Sequence, residues 1–387
     1  MGLKNRPLHT VIQKFSLFFL LSLFVSGVHA QKQWIRKLLS NEKDTTRKVS
    51  FMPVPAFGYK QETGFEFGAG ALYSFYYDRI DLHNRSSNLS GVLTYSTKKT
   101  YNFSLKGDMW TKANRYHLLT EIRFRKMPFN FYGIGNQTLK ADEDKLTQRQ
   151  LKLAFDLEKL TFRAGYTGIS LGYEHFNFID HEAGGLFSSS PALHQRAGGG
   201  VWYSGLSQSY DTRNSNNYPT RGFFGRLSVQ YVAAQDGQNS FDGALIKLNL
   251  RNFWSVTPKI VIGIQGIYHT IQGHSVPFYL LPQLGNDEVM RGYYTGRYRD
   301  QHFITAQTEL RYRFMNRFGI VAFAGTGKVA GNHNFSFRQL KPNYGLGGRY
   351  FFDTAKGLSV RLDYGIGEKL KYEERQKGWY VSLAEAF

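Results

Sequence analysis

The chain contains no cysteine among its 387 residues. That absence excludes disulfide frameworks, thiolate zinc sites and cysteine nucleophiles together. Acids are scarce too, with 29 Asp and Glu against 49 Lys and Arg, a formal charge of +20. Beyond the first thirty residues, charges interrupt every apolar run well before the ~18 residues that signal a membrane-spanning helix. Enzyme signatures are missing: there is no G-x-S-x-G elbow, no Walker motif and no H-E-x-x-H. Gly325-Thr326-Gly327-Lys328 has a superficial likeness to a phosphate loop, but the preceding glycine is absent and the segment reads as strand. His175/His181 and His269/His274 have neither helical spacing nor a third ligand, so neither metal nor cofactor is expected. What the chain has in plenty is glycine (40 residues) and aromatics (32 Phe, 25 Tyr and 5 Trp). That composition suits many short strands in which apolar and polar residues alternate.

The first thirty residues set the compartment. Lys4, Arg6 and Lys14 make a basic front, residues 15–25 an apolar core, and Val28-His29-Ala30 a small-residue cleavage site. A retained anchor needs ~20 apolar residues, so residues 1–30 are expected to be a signal peptide. Gln31 follows, where a lipoprotein would carry Cys. Removing Lys4, Arg6 and Lys14 leaves a charge of +17 on a chain outside the cytoplasm, which argues against a nucleic-acid partner. Residues 31–50 read as a basic periplasmic leader, and residues 51–387 as one barrel domain.

Period-two alternation carries the fold expectation. Phe65, Phe67, Ala69, Ala71, Tyr73 and Phe75 share one face; Ala244, Ile246, Leu248 and Leu250 oppose Lys247, Asn249 and Arg251; Ile304, Ala306, Leu310 and Tyr312 oppose Gln307, Glu309 and Arg311. The first half gives strands at 53–60, 64–77, 87–97, 100–112, 115–125, 147–157, 160–178 and 198–211. The second gives 221–235, 240–253, 259–272, 301–313, 317–329, 342–352, 357–368 and 377–387. Sixteen is an even number, as single-chain bacterial barrels require. A slip near Thr167-Gly168 marks a bulge or a short turn. A soluble sandwich also alternates, but here the polar face mixes both charge signs with glycine, as a barrel interior does. Most strands also approach or exceed the ~10 residues of a tilted transmembrane strand. The expectation is an all-β, 16-stranded antiparallel transmembrane barrel. The intervals 126–146, 179–197 and 273–300 are too long for tight turns and call for a function.

The longest interval holds Met290-Arg291-Gly292-Tyr293, after eleven strands of sixteen. This run resembles the hydrophobic-Arg-Gly-aromatic motif of the BamA/TamA superfamily, the bacterial surface-antigen family of outer-membrane barrels. The resemblance implies that the loop at about 273–300 folds back into the lumen. A buried arginine needs a carboxylate, and Glu309 on the next strand is the candidate for a bidentate pair. The alternative is a surface Arg291, with Glu309 paired to Arg311 or Arg313. Asp211 and Arg213, with Pro219 and Gly222, resemble the connection between the eighth and ninth strands of that family. Pro53-Val54-Pro55 through Gly64, and residues 131–136, look like stretches of members without extra domains. Phe387 resembles the C-terminal aromatic that serves as an assembly signal.

Two departures qualify the resemblance. Phe323-Ala324-Gly325-Thr326-Gly327 has Gly325 where the family carries an Asp, so a lock would rest on Glu309 or another acid such as Asp363. About twenty residues between the cleavage site and the first strand leave no room for POTRA receptor domains. The expected role is non-enzymatic: a bacterial outer-membrane component or accessory of protein assembly or translocation, whose end strands close weakly. The expected partners are outer-membrane lipids, lipopolysaccharide and assembly proteins. Arg297, Tyr298 and Arg299, and Arg123, Arg125 and Lys126, are candidate contacts to anionic lipopolysaccharide. The rivals are a passive channel or structural barrel, and a lipid-modifying barrel enzyme with His, Ser and an acid from distant strands.

Overall fold

The computed structural model describes residues 47–60, 64–182, 184–237, 239–333 and 335–387. The expected signal peptide and the leader up to residue 46 lie outside the described residues. The first half of the chain forms β1 (Ser50–Lys60), β2 (Gly64–Tyr76), β3 (Ser86–Ser96), β4 (Tyr101–Trp110), β5 (Tyr116–Phe131), β6 (Asp144–Phe162), β7 (Gly165–Asp180) and β8 (Gly198–Asp211). Then come β9 (Gly222–Gln235), β10 (Ser240–Thr257), β11 (Ile260–Gln272) and a two-residue pair, β12 (Gln283–Leu284) and β13 (Tyr298–Arg299). The chain ends with β14 (His302–Tyr312), β15 (Phe318–Ala330), β16 (Lys341–Asp353), β17 (Leu358–Ile366) and β18 (Lys377–Leu383). All but β12 and β13 form one 16-stranded sheet, each strand antiparallel to its neighbours in sequence order, with β11 pairing β14. Among the described residues no ladder joins β1 to β18. The start of β1 is tied instead to the β16–β17 connection, where Lys356 Nζ donates to Ser50 Oγ at 2.7 Å.

Every expected strand is present, and the boundaries differ where local chemistry broke the alternation. β5 and β6 run past Lys126-Met127-Pro128, because Pro128 opposite Thr147 is accommodated within their ladder. The slip expected at Thr167-Gly168 is corrected: both residues sit in a regular ladder with Lys159 and Glu158. The turn lies at residues 163–164, with Ala164 at φ +60°, and the register shifts between Leu160 and Phe162. The last strand stops at Leu383, where Ala384 takes φ +69° and turns the chain out of the sheet.

Burial along the strands is inverted relative to a water-soluble protein. In β14, Thr305, Gln307, Glu309 and Arg311 are buried while Ala306, Thr308, Leu310 and Tyr312 are exposed. Leu206, Leu346 and Val381 are each at least 65% exposed. Such an apolar surface is unstable against water and suits a sheet whose outer face meets hydrocarbon. The polar face is the concave one. Arg226 on β9 reaches Glu158 on β6 at 2.8 Å, and Arg85 before β3 pairs with Asp211 at the end of β8. Because strand directions alternate, the long connections 132–143, 181–197, 273–301, 331–340 and 367–376 gather at one end, the loop end. Residues 77–85, 111–115, 163–164, 212–221, 258–259, 313–317 and 354–357 lie at the other, the turn end.

Candidate functional site

Residues 273–301 leave β11 and run against the polar face of the sheet. Their first part is apolar: Val276, Phe278, Tyr279, Leu280 and Leu281 pack into a cluster with Phe131, Phe176, Phe178, Val201, Val232 and Ile271. The β12–β13 pair then brackets residues 285–297, and a second cluster joins Leu284, Met290, Tyr293 and Tyr298 to Phe303 and Val329. Burial of these side chains supplies the hydrophobic part of the docking, about 25 cal/mol for each Å² removed from water.

At the tip the backbone doubles back through Met290 at φ +54° and Gly292 at φ +111°. Glycine is required at 292 for two reasons. The conformation is left-handed, and a Cβ would come within 2.8 Å of Ile366 and Gly367 backbone atoms. The close approach lets Tyr380 Oη accept from Gly292 N at 2.8 Å. Tyr293 Oη donates to Pro342 O at 2.6 Å and accepts from Glu368 N at 2.9 Å.

This turn aims Arg291 at the sheet, where its guanidinium is fully buried. Nη2 donates to Glu309 Oε1 and Nη1 to Asp363 Oδ2, each at 2.6 Å. The Phe323 ring lies 3.6 Å beneath the guanidinium carbon, within cation–π range. The fork is therefore shared between two strands instead of closing on Glu309 alone. The alternative pairing holds at the same time, since Arg311 Nε donates to Glu309 Oε2 at 2.9 Å. Arg349 pairs with Asp363 at 2.5 Å and with Glu385 at 2.7 Å, and Arg361 pairs with Asp363 at 3.0 Å and Asp287 at 2.8 Å. Four arginines thus meet four carboxylates, and this pairing offsets their desolvation cost internally.

Gly325 lies beside this cluster. A Cβ there would sit 2.7 Å from Asn343 Oδ1 and 2.9 Å from Ala306 O, and Asn343 Nδ2 donates to Arg291 O at 3.3 Å. The place of an acid at position 325 is taken by Asn343, and Asp363 supplies the second carboxylate from β17. The sequence named Asp363 only as an alternative. It missed Arg349, Arg361 and Glu385, whose only signal was a charged residue on the inward period of a strand or just after one.

The connection between β8 and β9 makes a second constellation at the turn end. Arg213 grips Asp211 with Nε at 3.0 Å and Nη2 at 2.8 Å, and Arg85 adds a third guanidinium contact. Gly222 at φ +105° closes the connection, and Pro219 is buried within it. Between them, Asn217 Nδ2 donates to Ser86 Oγ at 2.9 Å and Lys356 O at 3.1 Å, while Asn217 Oδ1 accepts from Asn88 at 2.7 Å. The Tyr218 ring packs edge-on to Phe351 at 5.0 Å. The connection therefore crosses the concave side from β8 to β3 and to the β16–β17 turn. Phe387 is also inside, buried against Phe253 at 6.0 Å, with Arg311 Nη2 on its backbone oxygen at 2.6 Å.

Two expectations about surface chemistry are corrected. Arg297 and Arg299 are buried, the first paired with Glu373, the second among the rings of Phe129, Phe131 and Phe278. Arg123 is held by Glu121 and Arg125 reaches Gln148, both on the polar face, while Lys126 takes the alternate face with Ile122 and Phe124. A His, Ser and acid grouping among the described residues is equally informative. His117 lies between Asp108 at 2.9 Å and Glu158 at 3.2 Å, and Ser207 and Ser209 donate to Glu158 at 2.9 and 3.1 Å. Neither hydroxyl meets the imidazole, so the grouping is not assembled to activate a serine.

A family model described as the Omp85 superfamily domain matches residues 67–387. No curated protein matches the chain in sequence. Among solved structures, BamA from Haemophilus ducreyi lacking POTRA domains 1–3 superposes with a TM-score of 0.53 at 13% identity, covering 89% of this chain and 71% of that one. CdiB from Acinetobacter baumannii gives 0.53 at 9% identity, and CdiB from Escherichia coli 0.50 at 12%, each covering 87% of this chain. The chain spans 59% and 62% of the length of those two CdiB chains. At these identities the likeness is one of fold.

Proposed function

The chain belongs to the Omp85 superfamily, and from that premise we propose that it is an integral outer-membrane barrel. Its role is that of a non-enzymatic component or accessory of outer-membrane protein assembly or translocation. Residues 273–301 occupy the lumen, locked through Arg291. The surrounding outer-membrane lipid, including lipopolysaccharide, is its solvent, and periplasmic or membrane assembly proteins are its partners.

The observation that carries this reading is Arg291 buried between Glu309 and Asp363 on a strand-to-strand-spanning loop. A passive conduit gains nothing from a charge-paired cluster, buried around Arg291, Glu309 and Asp363, set in its path. A barrel that must stay sealed until a partner engages it does. The β8–β9 connection across the turn end supports the same view, since it offers a second closure. The terminal Phe387 serves as an assembly signal before the barrel closes, and is sequestered against Phe253 afterwards.

Single-channel recording in planar bilayers tests the sealed state. The wild type is expected to conduct rarely and briefly; a steady open pore that Arg291→Ala leaves unchanged would support the passive-channel reading instead. Recovery of stoichiometric partners from gently solubilised membranes tests the accessory role, and a barrel isolated alone would count against it.

A further inference from the structure

The concave face holds a partly open cavity of about 720 Å³, walled by β3 through β11 and bounded by residues of the inner loop that include Gln283 and Asn286. Its carboxylates all lie on one side, on β4 through β7, and each is engaged. Asp108 meets His117 at 2.9 Å, Glu121 meets Lys152 at 3.0 Å, Asp156 meets Arg226 at 3.4 Å, and Glu174 accepts from Gln150 at 2.6 Å.

The opposite corner differs. Gln230 on β9, Lys247 on β10 and His269 on β11 line the cavity from three adjacent strands. Lys247 stands directly across the ladder from His269, and Gln230 is across from Leu245, one diagonal step from Lys247. Directly opposed side chains start ~5 Å apart and diagonal ones ~7–8 Å apart, so the three side chains stand side by side on one wall of the cavity, with Lys247 exposed to it. Among the described residues Gln230 and Lys247 form no hydrogen bond or ion pair, and His269 Nε2 is buried without a partner. Three donors thus share one wall of the cavity with no protein acceptor bonded to them among the described residues.

We propose that this corner is a binding site for a small phosphate-type oxyanion. A lysine ammonium is a compact charge suited to phosphate, and a neutral imidazole and an amide can each add one N–H donor. Three donors from three strands match a tetrahedral oxyanion better than a planar carboxylate, which prefers a single guanidinium fork. An anion held there would lie beneath Gln283 and Asn286 and brace the inner loop against β9–β11. The site does not depend on any role in assembly or translocation.

Calorimetric titration of the full chain in detergent micelles with inorganic phosphate, at chloride-matched ionic strength, tests the proposal. Saturable one-to-one binding is expected, weakened at least tenfold in Lys247→Met. A short-chain phosphatidic acid in a parallel titration separates free phosphate from a lipid headgroup as the source; the place of the site on the polar face, away from the exposed apolar side chains, favours the free ion. Wild-type protein that shows no saturable binding would overturn the site, as would equal binding by Lys247→Met. If that variant does not fold, Gln230→Leu and His269→Phe each remove one donor without touching a charge. Unchanged affinity in both would overturn it equally.

Discussion

Arg291 and Asp363, 72 residues apart in sequence, meet at 2.6 Å with both side chains fully buried, on elements that no ladder connects. Asp363 also receives Arg349 and Arg361, so it is the carboxylate on which three arginines converge. Asp363→Asn would remove the carboxylate that Arg291, Arg349 and Arg361 share in a desolvated place. Breaking a buried pair from one side costs roughly 3–5 kcal/mol. The expected outcome is a loss of that order in urea unfolding of the refolded barrel, with release of residues 285–297 to protease. Unaltered stability would mean that the cluster is solvated in the native membrane protein.

Gly325→Asp restores the acid that the family motif carries, and by sequence alone it should strengthen the lock. The packing argues the opposite. Asn343 Oδ1 and Ala306 O leave no room for a Cβ, and an added carboxylate would find the guanidinium groups of the cluster already paired. The variant is expected to unfold at lower urea than wild type and not to rescue Asp363→Asn. Rescue in the double variant would show that position 325 can take over from β17.

Most of the fold was legible because membrane strands carry their environment in their period. Ile304, Ala306 and Leu310 against Gln307, Glu309 and Arg311 state which face is which, and β14 lies where that alternation placed it. Position 291 was legible from a four-residue run, and Glu309 from its place on the next strand. Asp363 was only one candidate among several acids, since the strand order that brings β17 near β14 is a tertiary fact. Arg297 and Arg299 were misread because a basic loop residue looks solvated until its partners, Glu373 and a ring cluster, are known. The crossing of residues 214–218 was invisible: asparagines in a turn look like turn chemistry, and nothing local announces that Asn217 will bond to β3.

The contact between the inner loop and the 367–376 connection should respond to acid. Burial works to raise the Glu373 carboxyl, but the Lys140 backbone N–H and the Arg297 guanidinium outweigh it and hold its pKa below the ordinary glutamate value. A depressed folded-state pKa gives stabilisation that is complete above the unfolded value, about 4.3, and lost as pH falls through the folded one. The protection of residues 367–376 against hydrogen exchange, relative to the intrinsic rate at each pH, is expected to fall on acidification below about pH 4. Glu373→Gln should show low protection at every pH; wild-type protection that does not change with pH would remove Glu373 as the cause.

Two closures in series make a different prediction from one. The inner loop is fixed through Arg291 near β14–β17, and the β8–β9 connection is fixed through Asn217 to β3 and the β16–β17 turn. These anchors share no hydrogen bond, so loosening one leaves the other in place. Asn217→Ala removes three hydrogen bonds, each worth about 0.5–1.5 kcal/mol, enough to mobilise a ten-residue connection without unfolding a sheet of sixteen strands. Arg291→Ala frees the loop but leaves residues 214–218 across the turn end. Each single variant is therefore expected to raise the frequency of brief openings in planar bilayers, and only the double variant to hold a long-lived open level. If Arg291→Ala alone gives that full open level, residues 214–218 form no barrier, and the sealing rests on the inner loop.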